Sequence, residues 1–179
     1  MFRIRIILLL FAISAFFINC SDTITSNKSS TQYRILFSTG DIYSINEDGT
    51  NIIQHTIDLF SHSPNPIWTS DASQIIFEKF GHVYIKDYDN QQLINLTNNI
   101  SDFSNFSEPT LSPDGQILAF VASSPEYSEY SDICTIDING QGYTNLTLDE
   151  VSNYHPIWAP NGQYILYCVI ETEKLNSII

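Results

Sequence analysis

Basic residues are scarce. The chain of 179 residues has 7 Lys and Arg against 20 Asp and Glu, a formal net charge of −13. Two of the seven, Arg3 and Arg5, lie ahead of every acidic residue, so the chain beyond position 20 holds 20 acidic against 5 basic side chains. A surface of that sign repels phosphate backbones, and no basic stripe offsets it, which argues against nucleic-acid binding. No Gly-x-Ser-x-Gly elbow, phosphate loop, His-Glu-x-x-His or Cys-x-x-Cys pattern occurs. No segment has helical periodicity in its apolar residues. Apolar residues are not short: at 43%, with 13% aromatics, they suffice for a packed core and exclude wholesale disorder.

The one long hydrophobic run stands at the start. Residues 1–5 carry two positive charges, and residues 6–18 are apolar except for Ser14. A short basic head and about 13 apolar residues suit a secretory signal, whereas a membrane-spanning helix needs about 20. Phe17-Ile18-Asn19-Cys20 follows, and then the polar stretch 21–32, which reads as a flexible tether. An apolar run ending in cysteine resembles the lipobox of bacterial lipoproteins. That resemblance implies a diacylglyceryl thioether on Cys20, cleavage just before it and acylation of the new amino terminus. Each buried CH₂ of the added chains contributes about 0.8 kcal/mol to anchoring. Asn19 departs from the usual Gly, Ala or Ser. Ser21 in place of Asp implies, by the enterobacterial sorting rule, transfer toward the outer membrane. An ordinary signal peptide with Cys20 incidental, and an uncleaved anchor, remain as alternatives.

The rest of the chain repeats itself. Residues 66–77 read PIWTSDASQIIF, residues 109–120 PTLSPDGQILAF and residues 156–167 PIWAPNGQYILY. A second pattern alternates with the first: IYSINEDGTNIIQHT at 42–56, VYIKDYDNQQLINLT at 83–97 and ICTIDINGQGYTNLT at 133–147. Each unit predicts four short strands. In the second unit these are Ile67-Trp68 after a proline, residues 74–79, residues 83–88 with period-two alternation, and residues 92–96. Ser70-Asp71-Ala72-Ser73, Pro113-Asp114-Gly115 and Asn139-Gly140 mark the reversals.

Four-stranded units about 43 residues apart are the signature of propeller blades. The motifs Pro-x-Trp-Ser-Pro-Asp-Gly, Ile-Tyr-x-x-Asp and Leu-Thr, met here as Pro113-Asp114-Gly115 and Leu146-Thr147 with variants in the other units, resemble the WD40-like blades of the TolB family. The expectation is an all-β chain of four-stranded antiparallel blades: a signal at 1–20, a tether at 21–32 and a partial propeller at 33–179. Its units fall at about 33–63, 64–106, 107–152 and 153–179, roughly 3.4 blades. The first unit lacks an innermost strand and the last stops after its second, near residue 169, so the ring is not expected to close. A truncated gene product, two copies completing a ring and a tolerated open arc are the three explanations, truncation taken first.

The remaining residues of chemical interest read as structural. Cys134 and Cys168 stand at ordinary strand positions and are expected to be packed, unpaired thiols, although an oxidising periplasm permits a disulfide. His55, His62, His82 and His155 have no ligand spacing; His155, ahead of Pro156, is the one that would face a channel. Asp87, Asp89, Asp132 and Asp137 fit no calcium loop and read as turn acids. Asn95-Leu96-Thr97 and Asn145-Leu146-Thr147 match glycosylation acceptors but are the repeat's own fourth strand. Trp68 and Trp158 are expected to pack between blades. The loop 123–131, with Tyr127, Glu129 and Tyr130, is the candidate contact loop. No metal or cofactor is implied. The resemblance implies a membrane-tethered module that binds envelope proteins and has no catalytic role. The alternatives are the propeller part of an enzyme, either a prolyl-oligopeptidase-type peptidase or a lyase, and a remnant without function.

Overall fold

The structure, a computed structural model, describes residues 34–57, 65–89, 92–123 and 130–170. Their strands run β1 (Arg34–Ser38), β2 (Ile42–Asn46), β3 (Ile53–Gln54), β4 (Ile67–Trp68), β5 (Gln74–Lys79), β6 (His82–Asp87), β7 (Leu93–Asn95), β8 (Asn105–Leu111), β9 (Ile117–Ser123), β10 (Ser131–Asp137), β11 (Thr144–Asn145), β12 (Ser152–Trp158) and β13 (Ile165–Ile170). No helix occurs among the described residues. The strands form four antiparallel sheets, each in chain order: β1-β2-β3, β4-β5-β6-β7, β8-β9-β10-β11 and β12-β13. These are blades 1 to 4. Among the described residues blade 1 begins at the counterpart of the second strand, and blade 4 holds an inner strand and its neighbour.

Alternation across each sheet makes the joints. Phe37, Phe77 and Phe120 pair with Tyr43, Tyr84 and Cys134, so the three positions are equivalent. Ile75 and Phe77 turn back onto Ile42 of blade 1. Ile76, Val83 and Ile85 turn forward onto Leu118, Phe120 and Cys134 of blade 3. Ile76, Leu118 and Phe120 are fully buried. Each such side chain stabilises the joint by about 1.5–3 kcal/mol.

Two polar devices recur. In the tight turn after each inner strand, Asp71 Oδ1 accepts from Thr69 Oγ1 (2.7 Å) and Ser73 N (3.1 Å), and Asp114 Oδ1 from Ser112 Oγ (2.6 Å) and Gln116 N (3.1 Å). The side-chain hydroxyl first, and the backbone N–H after it, hold both carboxyls below their usual pKa. At the outer edge, the threonine of each Leu-Thr motif, or of His55-Thr56 in blade 1, closes the start of the third strand. Ile42 N donates to Thr56 Oγ1 (2.9 Å), Val83 N to Thr97 Oγ1 (3.2 Å) and Ile133 N to Thr147 Oγ1 (2.8 Å).

One expectation needs correction, and the inner strands carry a distortion. β8 and β12 begin at Asn105 and Ser152, and both continue beyond a bulge before their proline. The residues before the three prolines, Asn65, Glu108 and His155, have φ of 39°, 55° and 54°, and the last two lie in the bulges. They are left-handed, whereas the residue before a proline ordinarily stays extended. Cys134 and Cys168 are both free thiols, but only Cys134 is packed; Cys168 is exposed, because the described residues place nothing against its side of β13.

Candidate functional site

The left-handed residues define a place as well as a distortion. Asn65, Pro66, Ile67, Glu108, Pro109, His155, Pro156 and Ile157 line one open cleft of about 630 Å³ across the inner strands of blades 2, 3 and 4. A carboxylate of the preceding blade holds the bulges at Glu108 and His155, and Glu78 also holds Asn65 of its own blade. Glu78 Oε1 accepts from the Glu108 backbone N (2.7 Å) and from Asn65 Nδ2 (2.6 Å). Glu108 Oε2 accepts from the His155 backbone N (2.6 Å) and lies 3.1 Å from His155 Nδ1. Charge-assisted bonds of this length are about twice as strong as neutral ones and offset the cost of a left-handed residue. Burial raises the pKa of Glu78, which the bonds from Asn65 and Glu108 partly counter. His155 reaches this cleft, as expected from its place before Pro156, and its side chain is 68% exposed. Glu78, Glu108 and Asn65 were not singled out from sequence, although the change from Asn to Glu to His ahead of an invariant proline was there to be read.

A second arrangement looks like chemistry and is not. His55 Nε2 lies 2.7 Å from Ser44 Oγ, the spacing of a nucleophile and its base. Ser44 is fully buried, however, and its Oγ also accepts from Arg34 Nε at 2.9 Å. Burial first, and then Lys86 and Arg34, push the His55 pKa down to about 4. The ring packs beside Trp68 and Tyr88, where the other blades have Leu96 and Leu146. This pair joins blades 1 and 2 and meets no solvent-facing cleft.

Of the other residues singled out, Cys20, Tyr127, Glu129 and His62 lie outside the described residues. Tyr130 is half-buried immediately ahead of β10. The glycosylation-like asparagines are engaged within their own blades. Asn95 Oδ1 accepts from Thr97 N (3.0 Å), and Asn145 bonds both Thr147 N (3.1 Å) and Asp132 Oδ2 (2.8 Å). Burial raises the pKa of Asp132. Among the described residues no three His, Cys, Asp or Glu side chains are grouped so as to hold a metal.

A succession of antiparallel blades, two of them four-stranded, around a cleft at the inner strand ends defines a β-propeller. The fold is TolB-like: TolB from Acinetobacter baumannii superposes with a TM-score of 0.58 over 74% of this chain and 33% of its own, at 22% identity. Oligogalacturonate lyase from Vibrio parahaemolyticus gives 0.63 over 79% of this chain and 44% of its own, at 13% identity. Puromycin hydrolase, as an S511A mutant, gives 0.52 over 75% and 25%, at 15% identity. The chain thus spans a quarter to under half the length of these three structures. Neither a protein-family model nor a curated protein matches it. The fold is shared by a lyase and a hydrolase as well as TolB, and fold alone assigns no activity.

Proposed function

We propose that this chain is a non-catalytic cell-envelope lipoprotein, tethered through Cys20, whose propeller surface binds a protein partner. One observation carries the reading. The polar residues that recur from blade to blade, such as Asp71 and Asp114, or Thr97 and Thr147, are bonded within their own blades. Those that change from blade to blade, Asn65, Glu108 and His155, surround an open cleft. A constant frame with variable polar groups at one rim is how a scaffold presents a binding surface. The likeness to TolB supports a periplasm-facing location, and the lipobox-like Cys20 supports the tether. The surplus of acidic side chains favours a partner with basic groups over a nucleic acid. The loop containing Tyr127, Glu129 and Tyr130 is a second contact surface in this reading. The propeller of a larger lyase or peptidase is the competing reading, favoured by the folds of the lyase and hydrolase.

The full chain, expressed in a bacterium fed labelled palmitate and cross-linked in intact envelopes, tests the proposal. Label that disappears with Cys20→Ala, and a cross-linked protein lost with Glu108→Lys, are expected. An unlabelled chain refutes the tether. A cross-link pattern indifferent to Glu108→Lys refutes the cleft as the binding surface.

A further inference from the structure

Blade 4 turns toward solvent a face that the blades before it hide. Register makes Leu166 the counterpart of Ile76 and Ala119, both fully buried in joints, and Ile157 the counterpart of Ile67, which packs against blade 3. Leu166 is 67% exposed and Ile157 61%. At the other end of the arc, Ile35, Phe37 and Tyr43 occupy the places of Ile75, Phe77 and Tyr84, through which blade 2 seats on blade 1. Ile35 is 48% exposed. None of these side chains is charged, on a chain of net charge −13.

We propose that the forward face of blade 4 receives the rear face of blade 1 from a second copy of this chain. The argument for a second copy is the joint already present between blades 1 and 2. There an Ile, a Phe and a Tyr, on adjacent strands, sit on the forward apolar face of the blade before them. The rear of blade 1 presents the same three residue types in the same register. The joint uses two different surfaces, so it is heterologous and propagates head to tail. Two copies of like charge repel, and salt screens that repulsion, so association tightens as ionic strength rises.

Sedimentation of the full chain in mild detergent, over a concentration series at low and at moderate salt, reads the association. Species above the monomer that tighten with salt are expected. Leu166→Asp and Ile35→Asp should each weaken association at least tenfold, since each buries a carboxylate in an apolar joint. Leu148→Asp, at an exposed position on neither face, should leave it unchanged. Mixing the two interface variants should restore one intact joint and yield a one-to-one heterodimer. A photo-cross-linking residue in place of Leu166 should capture the peptide 35–45 of another copy. This last readout needs no variant with a buried charge, so it holds if the aspartate variants fail to fold. A monomer at every concentration, a mixture that restores nothing, or capture of a different peptide overturns the proposal.

Discussion

Trp68 and Trp158 occupy the same place in blades 2 and 4 and use their indole N–H groups differently. Trp68 Nε1 donates to the Arg34 carbonyl at 3.0 Å, whereas Trp158 Nε1 is buried with no partner. The difference traces to the strand in front of each. Arg34 is equivalent to Gln74 and Ile117, whose carbonyls accept from Thr69 N (3.0 Å) and Ser112 N (2.8 Å) of their own inner strands. Blade 1 has no inner strand among the described residues, so its carbonyl is open to Trp68. Trp158 shares a cleft with Ile117, whose carbonyl is already engaged. Trp68→Phe should therefore cost about 1 kcal/mol in urea unfolding. Trp158→Phe should cost less, because it also removes an unsatisfied donor.

His55 should make the fold acid-sensitive well above the carboxylate range. Its pKa is lowered in the folded chain to about 4 from an ordinary 6.5, by burial and then by Lys86 and Arg34. Between those values the unfolded chain binds a proton that the folded chain does not, so stability falls as pH drops from 6.5 toward 4. His55→Leu, which restores the residue type of the other blades, should flatten that part of the melting-temperature profile. A profile unchanged by the substitution would place the sensitivity elsewhere.

Ala72 sits at φ 56°, where the equivalent turns have Gly115 at 74° and Gly162 at 69°. A left-handed non-glycine residue costs about 1–2 kcal/mol, and glycine returns roughly 0.5–1 kcal/mol of that through its freer unfolded chain. Ala72→Gly should accordingly stabilise the protein by about 0.5–1 kcal/mol in thermal unfolding. The reverse exchange, Gly115→Ala, should destabilise it, since the new Cβ would also lie 3.0 Å from Ser70 Oγ.

Thr97 tests the outer clamp. Thr97→Val keeps the side-chain shape and removes the oxygen that accepts from Val83 N and meets His82 Nδ1 at 2.9 Å. The Val83 N–H is then left buried and unpaired, at a cost of about 1–3 kcal/mol. Faster hydrogen exchange at Val83, with little change in blade 3, is the expected signature.

The blades were legible because their determinants are local. Period-two alternation, the Asp-Gly turns and the repeat itself place Trp68, Leu111 and Trp158 in matching strands. The inner rim was less legible. A proline predicts an extended residue before it, yet Glu108 and His155 are left-handed because each N–H reaches a carboxylate 30 and 47 positions earlier. No local pattern encodes a partner on another blade. The packing expected at Cys168 failed for a related reason: its burial depends on what covers the face, not on the strand it belongs to. The buried His55 likewise marks a position where a polar partner, Ser44, coincides with the histidine from a different strand.

Most hydrogen bonds between blades run one way, Ser131 Oγ to Tyr154 Oη at 3.4 Å being an exception. Trp68 donates to Arg34, Phe106 N to the Gly81 carbonyl, Glu108 N to Glu78, Asn153 to the Ser131 carbonyl and His155 N to Glu108. In every one of these the donor comes later in the chain than the acceptor. Each of these bonds takes up a carbonyl or carboxylate on the rear blade, so a substitution that removes such an acceptor leaves a donor unpaired on the blade in front.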